Sequence, residues 1–118
     1  MKYLVNAFSP AMLSGSCNLQ YKEITRIEFA MYATECKVAI SHEVTANLLS
    51  QIVGFEVKAN RVNLKVNPGD ILLGFTPGFR CSEAREFTAE EISNAPHKFW
   101  ILEIHKEVTP CMMSQLLR

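Results

Sequence analysis

The sequence predicts an α+β fold, with a single domain over residues 1–118 that contains a mixed β-sheet of about five strands flanked by helices. Three observations lead to this expectation. A chain of 118 residues that is 48% hydrophobic has the size and composition of one globular domain. Its apolar pattern changes along the chain between the two-residue period of strands and the 3.6-residue period of helices. One predicted strand is apolar on both faces, which places it inside a sheet covered on both sides.

The first strand is predicted over Lys2–Phe8, an apolar run that ends at Ser9. Ser9 is followed by Pro10, and this pair is typical of a helix N-cap and first helical position, so one helical turn is expected over 11–13. Asn18–Ile24 alternates between apolar and polar side chains. It is therefore predicted to be an exposed strand.

Two helices are predicted next. The period changes after Ile24, which predicts a short helix over Arg26–Ala33. The clearest helical pattern runs over Ser41–Gly54, with Ser41 as N-cap, an acidic residue in the first turn and a glycine where a left-handed C-terminal residue is needed.

A hairpin is predicted in the second half of the chain. Arg61–Val66 alternates like a strand, Asn67–Asp70 has the Pro-Gly pair of a type II turn, and Ile71–Phe75 is predicted to return as the antiparallel partner. A loop is expected over Thr76–Glu86.

The remaining elements complete the predicted sheet. Thr88–Glu91 forms a capping box, so a short helix is expected over about Ala89–Asn94. Lys98–Ile104 is the strand that is apolar on both faces. The tail over 105–118 is possibly helical, with apolar side chains at Met112, Met113, Leu116 and Leu117.

Composition excludes several classes of protein. Twelve basic and twelve acidic side chains give a formal net charge of zero, which argues against a protein that coats DNA through a broad basic face. No apolar run approaches the roughly 18 residues that span a bilayer, and the N-terminus has no signal-peptide cleavage site. We therefore expect a cytoplasmic protein. The cysteines and histidines lack metal-ligand spacing, so free thiols and no metal or cofactor are expected.

A candidate anion site lies at the start of the second helix. Unpaired N–H groups at a helix N-terminus attract phosphate, and His42 could exchange protons there near neutral pH. Thr45 lies on the same face of the helix and could offer a hydroxyl. The sequence alone equally allows an exposed histidine beside a capping serine.

Arginines are the second component of this candidate site. If the predicted hairpin forms, Arg61 and Arg80 lie toward the same end of the sheet and could form a pocket for a polyanion. Glu83 could orient Arg80. The alternative is that both arginines form surface ion pairs with Glu56, Glu83 or Glu86. Asn6 and Ser9, at the end of the first strand, are either turn residues or hydrogen-bonding groups of the site.

Six segments together carry a resemblance to a known family. They are Tyr3–Leu13, Ala39–Thr45, Asn60–Val62, Pro68–Asp70, Arg80–Glu83 and Phe87–Ile92. In order and spacing they resemble the viral anti-CRISPR ring nucleases, small proteins of archaeal viruses, phages and some bacterial genomes. The resemblance covers residues 2 to about 104. Its most specific part is the His-x-x-Thr helix start followed by Asn-Arg.

The resemblance implies a homodimeric α+β enzyme that binds cyclic tetra-adenylate, the second messenger of type III CRISPR defence. It implies metal-independent cleavage to linear di-adenylates with 2′,3′-cyclic phosphate ends, which switches off the signal in the host cytoplasm. The catalytic residues would be His42, Arg80 and Glu83, with His42 protonating the leaving 5′-oxygen. The substrate-binding residues would be Asn6, Ser9, Thr45, Arg61 and Thr76.

Two other functions remain open at this point. The protein could bind a cyclic oligonucleotide without cleaving it, as a sponge or sensor. It could also be a protein-interaction module that docks through its apolar tail, and that function would need neither His42 nor the arginines.

Overall fold

A computed structural model of the protein describes residues 1–77 and 97–107. In chain order the elements are β1 (Lys2–Val5), a 3₁₀ turn (Pro10–Met12), β2 (Cys17–Ile24), α1 (Arg26–Ala33), β3 (Lys37–Val38), α2 (Glu43–Val53), β4 (Ile71–Pro77) and β5 (His97–Lys106). The strands of the described part form one mixed sheet in the order β2-β5-β4-β1-β3. The predicted α+β class and the five-stranded mixed sheet are therefore confirmed.

Three parallel strands lie side by side in this sheet. β1 pairs in parallel with β3 on one side and with β4 on the other, whereas β5 pairs antiparallel with β4 and β2. Because β3, β1 and β4 run in the same direction, their carboxyl ends lie at one edge of the sheet, which we call the carboxyl edge. In open α/β sheets this is the edge where ligands bind.

Both faces of the sheet are covered, as the sequence of β5 predicted. Phe99 packs into the cluster formed with α1 and α2, whereas Trp100 packs on the opposite face with residues from the 3₁₀ turn and from 64–66. Each of the two side chains is only 6% exposed. The interpretation of this strand as internal to the sheet is confirmed.

Helix α1 covers the range that the sequence predicts, and its first turn shows why. The Thr25 hydroxyl accepts from the Glu28 N–H at 3.2 Å, while the Glu28 carboxylate accepts from the Thr25 N–H at 3.2 Å. This reciprocal capping box satisfies two N–H groups that the helix itself cannot pair. The Arg26 guanidinium donates to the Ile52 carbonyl at 2.9 and 3.1 Å, which ties α1 to the last turn of α2.

Helix α2 begins one residue later than the predicted cap requires. Its first helical residue is Glu43 and its N-cap is His42, with φ −108° and ψ 127°, so the prediction of Ser41 as the cap is wrong. The Ile40 carbonyl is still engaged by a strand-like bond from Asn60 at 2.7 Å, and this keeps the chain extended past the serine. At the other end Gly54 has φ 84°, as predicted.

The predicted hairpin is wrong. The Asn67–Asp70 turn forms, with a 3.0 Å bond from Asp70 N–H to the Asn67 carbonyl and Gly69 at φ 99°. However, Arg61–Val66 is not a strand beside β4, whose two neighbours are β1 and β5. It meets the 3₁₀-turn segment instead, through one isolated bridge between Leu13 and Val66.

Other boundaries differ by a few residues. Strand β1 ends at Val5 rather than Phe8, and β4 continues through Thr76 and Pro77, which the sequence assigned to a loop. Strand β5 extends through Lys106, into the range predicted as tail. The predicted helix over 89–94 and residues 108–118 of the tail lie outside the described residues. No helix of the described part is long and apolar enough to cross a membrane.

Candidate functional site

The carboxyl edge collects polar residues from three strands. Asn6 follows β1 directly, His42 lies four residues beyond the end of β3, and Thr76 is the penultimate residue of β4. These strands are immediate neighbours in the sheet. Residues that are up to 70 positions apart in sequence therefore share one edge because the pairing is parallel.

His42 lies where α2 begins. Its side chain is exposed, and it makes no capping hydrogen bond to the first turn of the helix. Its carbonyl accepts the Ala46 N–H at 3.1 Å, which is the first bond of the helical ladder. The early N–H groups of a helix and its dipole attract a negatively charged ligand. An imidazole at this position is therefore next to the place where a phosphate would bind.

Thr45 is buried in this first turn. Its side chain is 4% exposed, and it is the one buried polar residue among the described residues. Its neighbour Ala46 belongs to the core cluster on the helical face. The hydroxyl expected to face a ligand therefore belongs to a buried side chain in the first turn of α2, three residues after His42.

Arg61 is held at this edge by the residue before it. The Asn60 N–H donates to the Ile40 carbonyl at 2.7 Å, and the Asn60 side-chain amide donates to the Val38 carbonyl at 3.0 Å. The Arg61 side chain is exposed. Among the described residues it has no ion pair, including with Glu56, one of the partners that the sequence allowed. The sequence marked Asn60 only as part of a motif, because its two acceptors, Val38 and Ile40, lie 20 or more residues earlier in the chain.

Ser9 and Thr76 have partners that orient their hydroxyls. The Ser9 hydroxyl accepts from the Ala11 N–H at 3.3 Å and so caps the 3₁₀ turn, as predicted for this residue. The Thr76 hydroxyl accepts from the Trp100 indole N–H at 2.9 Å. Since each hydroxyl acts as an acceptor in these bonds, its own proton can still be donated to another oxygen.

Three of the other residues that the sequence drew attention to are not part of the observed site. Arg80 and Glu83 lie outside the described residues, so their roles stay predictions. Phe75, one residue before Thr76, is 1% exposed and packs against Phe99 with ring centroids 5.4 Å apart. It is a core residue.

A separate apolar groove does not belong to this site. It has a volume of about 830 Å³ and lies between α1 and the end of α2, with Ile27, Met31 and Phe55 among its lining residues. Its one charged lining residue is Arg26, whose guanidinium is already bound to the Ile52 carbonyl. This groove is therefore poorly suited to a polyanion, in contrast to the carboxyl edge.

Comparison with known proteins identifies the family of this chain. The STIV B116-like family matches residues 2–99. The chain belongs to the STIV B116-like family. The match includes every candidate site residue from Asn6 to Glu83, and it ends inside β5.

Two proteins of archaeal viruses are similar to this chain along most of their length. Protein ORF116 of Acidianus filamentous virus 1 (isolate United States/Yellowstone) is 33% identical over 94 residues, covering 77% of this chain and 81% of that protein. Protein 26 of Sulfolobus islandicus filamentous virus (isolate Iceland/Hveragerdi) is 27% identical over 108 residues, covering 88% and 92% respectively.

A solved structure from the same family has the same fold. B116 of Sulfolobus turreted icosahedral virus superposes with a TM-score of 0.78 at 25% identity, covering 86% of this chain and 97% of that one. The B116-like sheet and its helices therefore account for nearly the whole of the solved relative. The relatives named here are all proteins of archaeal viruses.

Proposed function

We propose that this protein is a metal-independent ring nuclease that binds cyclic tetra-adenylate and cleaves it to linear di-adenylates, in the cytoplasm of a virus-infected host cell. The observation that carries the proposal is the arrangement at the carboxyl edge. His42 is the N-cap of α2, and Asn60, the residue before Arg61, binds the carbonyls of Val38 and Ile40 in the segment that leads to this cap. The motif resemblance to viral anti-CRISPR ring nucleases supplies the ligand.

The residues suit cleavage of RNA by its own 2′-hydroxyl. The 2′-hydroxyl loses its proton to solvent water as its oxygen attacks the adjacent phosphorus, the bond from phosphorus to the 5′-oxygen breaks, and a 2′,3′-cyclic phosphate forms. Such a reaction depends mainly on holding the attacking and leaving oxygens in line. No metal is required if cationic and N–H groups stabilise the charge that develops on the phosphate.

Each site residue has a task in this mechanism. His42 donates a proton to the 5′-oxygen as it leaves. Arg61 and the first turn of α2 stabilise the phosphate charge, with Arg80 as a second guanidinium and Glu83 as its support. Asn6, Ser9 and Thr76 hydrogen-bond the rest of the nucleotide, while Thr45 supports the first turn from below. These roles rest on residue type and on the resemblance to the viral anti-CRISPR ring nucleases.

Turnover separates a nuclease from a protein that only sequesters the ligand. Cyclic tetra-adenylate in about twentyfold molar excess over protein, with EDTA present, should be converted fully to di-adenylate with a 2′,3′-cyclic phosphate, as read by liquid chromatography with mass spectrometry. Complete binding without product would instead indicate a sponge. Cleavage that is lost in EDTA and restored by Mg²⁺ would contradict the proposed metal-independent mechanism.

A further inference from the structure

Strand β3 is the last strand at this side of the described sheet. The carbonyls of its last residue, Val38, and of Ile40, two residues beyond the strand, face away from β1. Along a strand, the backbone groups of successive residues point to opposite sides. The Ala39 N–H donates inward to the Leu4 carbonyl at 2.9 Å. The carbonyls of its two neighbours, Val38 and Ile40, therefore point outward, toward the open edge of the sheet.

Asn60 binds both of these outward carbonyls. Its backbone N–H donates to Ile40 at 2.7 Å and its side-chain amide donates to Val38 at 3.0 Å. The side-chain amide thus replaces the N–H group that a further strand would have supplied. Two bonds to carbonyls two residues apart fix both the position and the rotation of the Asn60 backbone.

We propose that Asn60 is a positioning residue that acts through Arg61. Arg61 directly follows the anchored residue, and the Ile40 carbonyl that holds this residue lies two positions before His42, the N-cap of α2. This inference rests on the proposed function, because it assumes that Arg61 contacts a ligand phosphate. An anchored backbone reduces the entropy that the guanidinium loses when it binds.

The amide group of Asn60 is essential to this role. Aspartate has nearly the same shape but offers oxygens where the amide donates, so it would place a negative charge against the Val38 carbonyl. Asn60→Asp should therefore release the anchor more fully than Asn60→Ala, which only removes the bond. The chain contains a matched control, because the Asn18 amide donates to the Lys106 carbonyl at 3.3 Å, in the β2–β5 pair.

Calorimetric titration with cyclic tetra-adenylate tests the proposal. Asn60→Asp should weaken binding about tenfold, the amount expected if Arg61 loses one hydrogen bond to the charged phosphate of the ligand. Asn60→Ala should weaken binding less. Asn18→Asp should change binding less than about twofold. In an Arg61→Ala background, Asn60→Asp should have almost no further effect, since coupled residues are not additive.

The proposal would be overturned if Asn60→Asp bound the ligand as tightly as the parent. It would also be overturned if Asn60→Asp weakened binding by the same factor with and without Arg61. Either result would leave the proposed function intact. If the parent does not bind the ligand, the proposed function fails, and hydrogen exchange of the free protein then decides about the anchor. Loss of protection at the Asn60 N–H in Asn60→Asp, with Asn18→Asp unchanged, would support the anchor. Unchanged protection would overturn it.

Discussion

At the residue scale, the surroundings of a side chain determine what chemistry it can perform. His42 and Arg61 are exposed at the carboxyl edge, where they can meet a ligand. Cys36 shows the opposite case. It is half-buried before β3, and burial raises the pKa of its thiol to about 11. The thiol also donates to the Tyr32 carbonyl at 3.4 Å, which requires the protonated form.

Cys36 should therefore react slowly with alkylating reagents. A pKa about two units above that of an ordinary thiol leaves about a hundredfold less thiolate at pH 8, and the thiolate is the reactive form. Peptide mass spectrometry after timed iodoacetamide treatment should show labelling of Cys36 at least about tenfold slower than labelling of glutathione. Labelling at the rate of glutathione would contradict the protective effect of burial.

At the scale of single elements, β4 depends on a glycine. Gly74 lies beside Trp100 on β5, and a Cβ at this position would overlap the indole ring. The ring is held in place by the bond from its N–H to the Thr76 hydroxyl at 2.9 Å. Glycine in a strand interior commonly marks such a close approach.

Gly74→Ala should destabilise the protein by about 2 kcal/mol or more, because the indole must move and its hydrogen bond is strained. Urea unfolding followed by the fluorescence of Trp100, the one tryptophan of the chain, measures this. Gly15→Ala is the control, since a Cβ there meets nothing within 4 Å. Equal midpoints for the two variants would show that the sheet tolerates the added methyl group.

Local signals predicted some elements well. The helix over Arg26–Ala33 was predicted with its bounds because the change to a helical apolar period is a local signal. The C-terminus of α2 was predicted because only a glycine readily adopts φ 84°.

Pairing between distant residues could not be read from the sequence in the same way. Arg61–Val66 has the alternation of a strand, yet Val62 is 49% exposed, and none of the strands in the described residues pairs with this segment. Strand β3 has only two residues and no pattern of its own, and its existence depends on pairing with β1. For the same reason the sequence identified His42 and Arg61 separately, whereas the bonds from Asn60 that link their segments appear only in the fold.

At the scale of the whole molecule, the proposed ligand has a two-fold axis. A ring of four identical nucleotides presents two equivalent halves, and an isologous dimer offers the same half-site twice. We therefore expect a homodimer in which two copies of His42 act on opposite bonds of the ring.

Light scattering coupled to gel filtration should give twice the mass of the chain at micromolar concentration. The dimer would be contradicted by a monomer mass that persists when the cyclic ligand is added. If a variant keeps the dimer mass but no longer binds the cyclic ligand, its loss of binding is due to the site and not to loss of the dimer.

The central claim is that His42 donates a proton during cleavage of the bound ring. Single-turnover cleavage of cyclic tetra-adenylate by His42→Ala, compared with the parent and with His105→Ala, tests it most directly. His105 is a suitable control because it lies on β5, where it pairs with Asn18 rather than beginning a helix. The His42→Ala rate should fall roughly 10² to 10⁴-fold, with affinity changed less than about tenfold. Cleavage by His42→Ala at the parent's rate would contradict the account.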